Sequence, residues 1–142
     1  MNVNLSKARD LLESGSYTCV VCRDDQIYTT DARGVAPLLN WLDNGLNLRG
    51  FSAADRVVGR GAAFLYCLLG VEKVYAKVMS HPAAEILRLH GIDAQADIFV
   101  DGIINRKGDG PCPFEAAVME IYDAEEALAA IRNKRSQLMK GN

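Results

Sequence analysis

The sequence predicts an α/β domain of three layers, with helices on both faces of a mixed sheet that begins as a β-hairpin. Two β-rich runs in SYTCVVCRDDQIYTT flank Asp24 and Asp25, which suit a tight turn. Helical and strand-like periods then alternate through the second half, which implies parallel crossovers. Across 142 residues there is no internal repeat, low-complexity tract or linker, so residues 1–142 are expected to form a single domain.

The elements follow in order. SKARDLLES is a short helix with Leu5, Ala8, Leu11 and Leu12 on one face and Gly15 as its stop. The hairpin comes next. GVAPLLNWLDNGL is a second helix, with Pro37 in its first turn and Gly45 past its end. FSAADRVVGRGAAFLYCLLG reads as one long helix. Ser52 and Asp55 have the spacing of a capping box, and Gly70 ends it. Its middle is apolar almost all round, so it belongs at the centre of the core. Gly59, Ala62 and Ala63 form a small-residue strip that admits close packing.

VEKVYAKVMS alternates as a strand. HPAAEILRLHG is a helix with Pro82 in its first turn and Gly91 as its C-cap, and His90 lies near its negative end. IDAQADIFVDGI holds a further strand. GPCPFEAAVMEI and DAEEALAAIRNKRSQLM form two final helices, the second capped by Asp123 with Glu125 and Glu126 in its first turn.

Composition bounds the function. Nearly half of the chain, 49%, is hydrophobic, enough for a real core. The formal net charge is −2, and the only basic cluster, Arg132, Lys134, Arg135 and Lys140, suits the negative end of a terminal helix. A nucleic-acid surface is therefore not expected. The N-terminus is polar and amphipathic, unlike a signal peptide, and GAAFLYCLLGV is too short to span a bilayer. These features predict a soluble cytoplasmic chain without membrane contact. Cys19, Cys22, Cys67 and Cys112 are then expected to be reduced. Cys19 and Cys22 form a CxxC inside a strand-like run, where residues three apart face opposite ways and cannot jointly grip a metal.

Two segments, ADRVVGRGAAFLYCLLGVEKVYAKVMSHPAAEIL and INRKGDGPCPFE, resemble the DUF1893 family, small bacterial and archaeal proteins without an assigned activity. The resemblance covers most of the chain and implies a cytidine deaminase-like fold. Zinc deaminases place H-x-E or C-x-E at the start of one buried helix, and P-C-x-x-C at the start of the next helix after one strand. With the elements assigned as above, the first position is ADRVVG, without His, Cys or Glu, and the second is SHPAAEI, without cysteine. Zinc needs three such ligands and an open water position. No metal, no cofactor and no zinc-dependent deaminase activity are expected.

If a pocket persists, its walls are the starts of those two helices, giving Asp55, Arg56, Ser80 and His81 as ligand-binding candidates. Asp55 also reads as a capping residue. Arg56 and Arg60 read either as an anion clamp or as a solvated helix face. Ser80 doubles as an N-cap, and His81 is either a proton carrier or a solvent-facing first-turn residue. Arg106 sits in the loop before PCP and is placed to close over a bound anion. Cys112 fits the N-cap of a helix with Pro113 at N1 and Glu115 at N3. The helix field favours its thiolate, while Glu115 opposes it.

The preferred reading is a metal-free protein that binds a small polar or anionic molecule of nucleotide-like chemistry. The alternative is an enzyme of transferase or thiol chemistry, with Cys112 as nucleophile and His81 and Glu115 as proton carriers. A third reading makes the C-terminal helix a face for a homo-oligomer.

Overall fold

A computed structural model describes residues 3–32, 34–105, 107–108 and 110–140. Within them the chain forms α1 (Val3–Ser14), β1 (Cys19–Arg23), β2 (Gln26–Thr30), α2 (Ala36–Asp43), β3 (Ser52–Val58) and α3 (Arg60–Leu69). It continues as β4 (Lys73–Ser80), α4 (His81–Leu89), β5 (Asp93–Val100), α5 (Pro113–Ala117) and α6 (Ala124–Lys140). The strands make one mixed sheet in the order β2-β1-β3-β4-β5. β1 is antiparallel to β2 and to β3, whereas β3, β4 and β5 run parallel. The hairpin turns at Asp24, which takes the left-handed φ of 53° that the turn requires.

The layers are unequal. On one face Leu5, Ala8 and Leu12 of α1 pack against Val20, Cys22, Ala54 and Tyr75. On the other, α2, α3 and α4 bury a larger core around Phe64, Leu65, Leu39 and Ile86. Each such side chain, taken fully out of water, contributes on the order of 1.5–3 kcal/mol. α6 packs outside α3 and α5 through Ala127 and Ile131, while Leu138 and Met139 near its end are exposed. Cys19 joins the larger core and Cys22 the smaller, as strand alternation requires. No helix among the described residues is long and apolar enough to cross a membrane.

The third expected helix needs correction. Its front half, Ser52–Val58, is β3, the central strand, and only Arg60–Leu69 is helical. The Ser52–Asp55 spacing imitates a capping box, and two alanines blunt the β signal. Pairing decides the matter: β3 bonds to β1 on one side and β4 on the other. A strand covered on both faces does not show the alternation of a half-buried one, so its period gives no signal. Gly59, in extended conformation, separates it from α3, and Gly70 ends that helix at φ 89°.

Candidate functional site

A cavity of about 570 Å³ opens where β3 runs into α3. One wall is the start of α2, with Val35, Pro37 and Leu38, and another is the start of α3, with Gly59 and Ala62. The chain beyond β5 folds back to roof it: Ile104 bridges to Pro111, and the Cys112 amide donates to the Ile103 carbonyl at 2.9 Å. This return brings Cys112, Phe114 and Glu115 to the cavity.

Asp55 and Arg56 line it, but from a strand and not from a helix start. Asp55 lies opposite Cys19 in the β1–β3 register, on the face that α3 covers. The Tyr66 hydroxyl donates to Asp55 Oδ2 at 2.6 Å, and the Arg56 amide donates to Oδ1 at 2.8 Å. Tyr66 Oη also lies 3.0 Å from Cys19 Sγ. The single phenol proton goes to the carboxylate, so the thiol donates to the phenol oxygen. Burial raises the Asp55 carboxyl to about 6, against the pull of the Tyr66 hydrogen bond, the backbone amides and the Arg56 charge. Burial and the Asp55 charge together push the Cys19 thiol and the Tyr66 hydroxyl well up. The result is a chain from Cys19 through Tyr66 to a carboxylate on the cavity floor.

Both arginines hold main-chain carbonyls. Arg56 Nε donates to the Tyr17 carbonyl at 2.8 Å and Nη2 to the Leu12 carbonyl at 3.5 Å, closing the end of α1. Arg60 is buried. Its Nε donates to the Val118 carbonyl at 2.9 Å, Nη2 donates to that of Ile121, and the guanidinium lies 4.5 Å from the Tyr122 ring centre. It ties the chain after α5 to α3.

Glu115 does not act within its own helix. The amides of Arg60 and Gly61 donate to its Oε1 and Oε2 at 2.5 and 2.8 Å, so it caps α3 from outside. Burial raises its carboxyl, while those amides and Arg60 oppose the shift. A Cβ on Gly59 would stand only 2.4 Å from the Glu115 carboxyl carbon, so glycine is what lets this carboxylate in. Cys112 is the N-cap of α5, as expected, and its side chain makes no capping hydrogen bond.

Ser80 and His81 lie outside the cavity lining. Ser80 is the buried N-cap of α4 and accepts from the Ala83 amide at 3.1 Å. The exposed His81 ring stacks on Phe99 with centroids 5.6 Å apart. The reason is the extra strand. The helix starts that meet over β3 are those of α2 and α3, so the wall assigned to α4 lies one crossover too far along the sheet. The nucleophile reading therefore keeps Cys112 at the cavity without His81, and Glu115 there holds α3. Arg106 lies outside the described residues. Cys19 and Tyr66 carried no sequence signal beyond one: a tyrosine in a buried helix needs a partner for its hydroxyl.

A zinc ion of the deaminase kind does not fit. The starts of α2 and α3 carry Gly34, Val35 and Ala36, and Gly59, Arg60 and Gly61, none with a donor atom for the metal, and the start of α5 adds the single thiol of Cys112 while its Glu115 is given to the amides of α3. No group of three or more His, Cys, Asp or Glu among the described residues could hold a metal ion.

Residues 7–135 match the family described as "Domain of unknown function (DUF1893)". The crystal structure of a DUF1893 family protein from Thermotoga maritima is similar, with a TM-score of 0.84 at 26% identity, covering 96% of this chain and 92% of that one. An apo dCMP deaminase from the cyanophage S-TIM5 is far less similar, with a TM-score of 0.43 at 11% identity, covering 66% of this chain and 93% of that one, too slight a likeness to bear on chemistry. No curated protein matches the sequence.

Proposed function

The chain belongs to the DUF1893 family, a domain of unknown function, and on that premise we propose that it binds a small polar molecule in the cavity at the end of β3, without zinc-dependent deamination. The observation that carries this reading is Asp55, a half-buried carboxylate at the floor of an otherwise largely apolar cavity. Pockets that hold small molecules combine apolar walls with a few fixed polar groups, at volumes of roughly 300–1,000 Å³. Tyr66 and the Arg56 amide fix the carboxylate before any ligand arrives, which lowers the ordering cost of binding.

The test is a thermal-shift screen of nucleosides, nucleotides, amines and amino acids, repeated on Ala62→Phe, which fills the cavity from α3. At least one compound raises the melting temperature of the parent protein and not of the filled variant. A silent screen, or stabilisation that survives the filled cavity, rejects the reading.

One observation favours a second reading, an enzyme with a thiol nucleophile: Cys112 lines the same cavity and its side chain caps nothing. Its proton carrier would then come from the ligand or from Asp55 rather than from His81.

A further inference from the structure

The donors and acceptors around the cavity are unevenly committed. The Tyr66 hydroxyl is given to Asp55. Thr18 donates its hydroxyl proton to main-chain carbonyls, with Ala32 O at 2.6 Å and Thr30 O at 3.1 Å. The first amides of α3, which would otherwise attract an anion, hold Glu115. Arg56 turns Nε and Nη2 to the end of α1.

Acceptors, by contrast, remain. A carboxylate has about four lone-pair sites. Those of Asp55 receive the Tyr66 hydroxyl and the amides of Arg56 and Val57, which leaves room for one further donor. Asp31 and Glu115 add two more carboxylates to the described lining, against the single guanidinium of Arg56 and no lysine or histidine. Among the described residues the charge of the lining runs against the anionic ligand that the sequence suggested.

We propose that the ligand of this cavity carries a cationic nitrogen head, a protonated amine or an amidinium, whose N–H groups donate to Asp55 while its apolar body lies against Phe114 and Leu38. The inference rests on the binding reading above and narrows its ligand class. A cation meets a carboxylate that is held in place and lacks a cationic partner committed to it, where a charge-assisted hydrogen bond is stronger than in water. An anion would meet three carboxylates in the described lining, and the first amides of α3 are already given to Glu115.

The experiment uses the full chain labelled with ¹⁵N and four probes of similar shape: benzamidine, benzylamine, neutral benzamide and anionic benzoate. The cations shift the amides of Ala54 to Val58 and of Phe114 saturably, at least about tenfold more tightly than benzamide, and benzoate leaves them unmoved. In Asp55→Asn that preference falls to about threefold or less. Should the variant fold poorly, the parent protein supplies the same contrast. Lowering the pH from about 7.5 to about 5 protonates the acceptor and weakens the cations but not benzamide. Benzamide or benzoate binding as tightly as the cations overturns the cationic head and leaves the binding reading intact. Silence from all four probes overturns the cationic head as well, and only a silent broad screen beside it overturns the binding reading too.

Discussion

Asp55 changed role while keeping its place among the candidate residues. In the sequence it reads as a capping residue or a ligand contact. In the fold it is a strand residue whose two oxygens are held by Tyr66 and the Arg56 amide. Its folded carboxyl, near 6, lies above the free value of 3.8. The folded chain therefore binds this proton more tightly than the unfolded chain does, and Asp55 costs stability progressively as pH rises from about 4 to about 6. Asp55→Asn removes that cost. The melting temperature of the variant relative to the parent should rise across this window and level off above it. A difference that stays flat with pH would show that Asp55 titrates as an ordinary carboxylate. The cysteines separate in the same way by environment. Cys19 and Cys22 are buried, burial pushes the Cys67 thiol up to about 12, and Cys112 is part-exposed at the cavity. A disulfide reagent on the native protein should label Cys112 first, with the fast phase absent in Cys112→Ser. An unchanged fast phase in that variant would dismiss Cys112 as the accessible thiol. Sequence reasoning found Cys112 and Glu115 because Pro113 marks the helix start beside them. It missed Cys19 and Tyr66 because their partner lies across the sheet.

At the scale of elements, the hairpin, α1, α2, β4, α4, β5 and α6 were all legible, each from a local period or a punctuating Gly, Pro or Asp. β3 was not, since a central strand covered on both faces has no period of its own. The contact between α5 and α3 was not legible either. Glu115 stands at the N3 position of α5, where a carboxylate commonly serves its own helix, yet here it leaves that helix to cap α3. The small-residue strip foreseen at Gly59 is the place where it enters. Glu115→Ala should cost about 1.5–3 kcal/mol, the usual worth of hydrogen bonds to a charged group. Gly59→Ala should displace the same carboxylate and cost a similar amount. Because both act on one contact, the double variant should be less destabilised than the sum of the two, by about 1 kcal/mol or more in urea unfolding. Full additivity would mean that the carboxylate does not hold α5 to α3.

Over the whole molecule, a mixed five-stranded sheet carries one helix on one face and the remaining core helices on the other. The cavity lies where the starts of α2 and α3 meet over β3, as ligand crevices in α/β sheets lie beyond the carboxyl ends of strands. Those helix starts offer glycines, a valine and an arginine where a zinc site would need thiolate, imidazole or carboxylate. Equimolar zinc should therefore leave the melting temperature unchanged, and zinc-supplemented protein should release no ammonia from cytidine or dCMP. Stabilisation by zinc that disappears in Asp55→Asn would reverse that conclusion. By itself the sequence determined the fold class, the hairpin and most of the helix and strand boundaries, because these follow from short-range period, capping and turn chemistry. It also showed that ADRVVG and SHPAAEI lack zinc ligands, but the helix starts that meet at the cavity are those of α2 and α3, which only the fold identified. The tertiary structure alone decided that Ser52–Val58 is the central strand, that Asp55 meets Tyr66 and Cys19, that Glu115 occupies the amides of α3, and that His81 stands apart. Each of these depends on pairing between segments distant in sequence, and pairing across a sheet or between helices leaves no mark on the local pattern of a single segment.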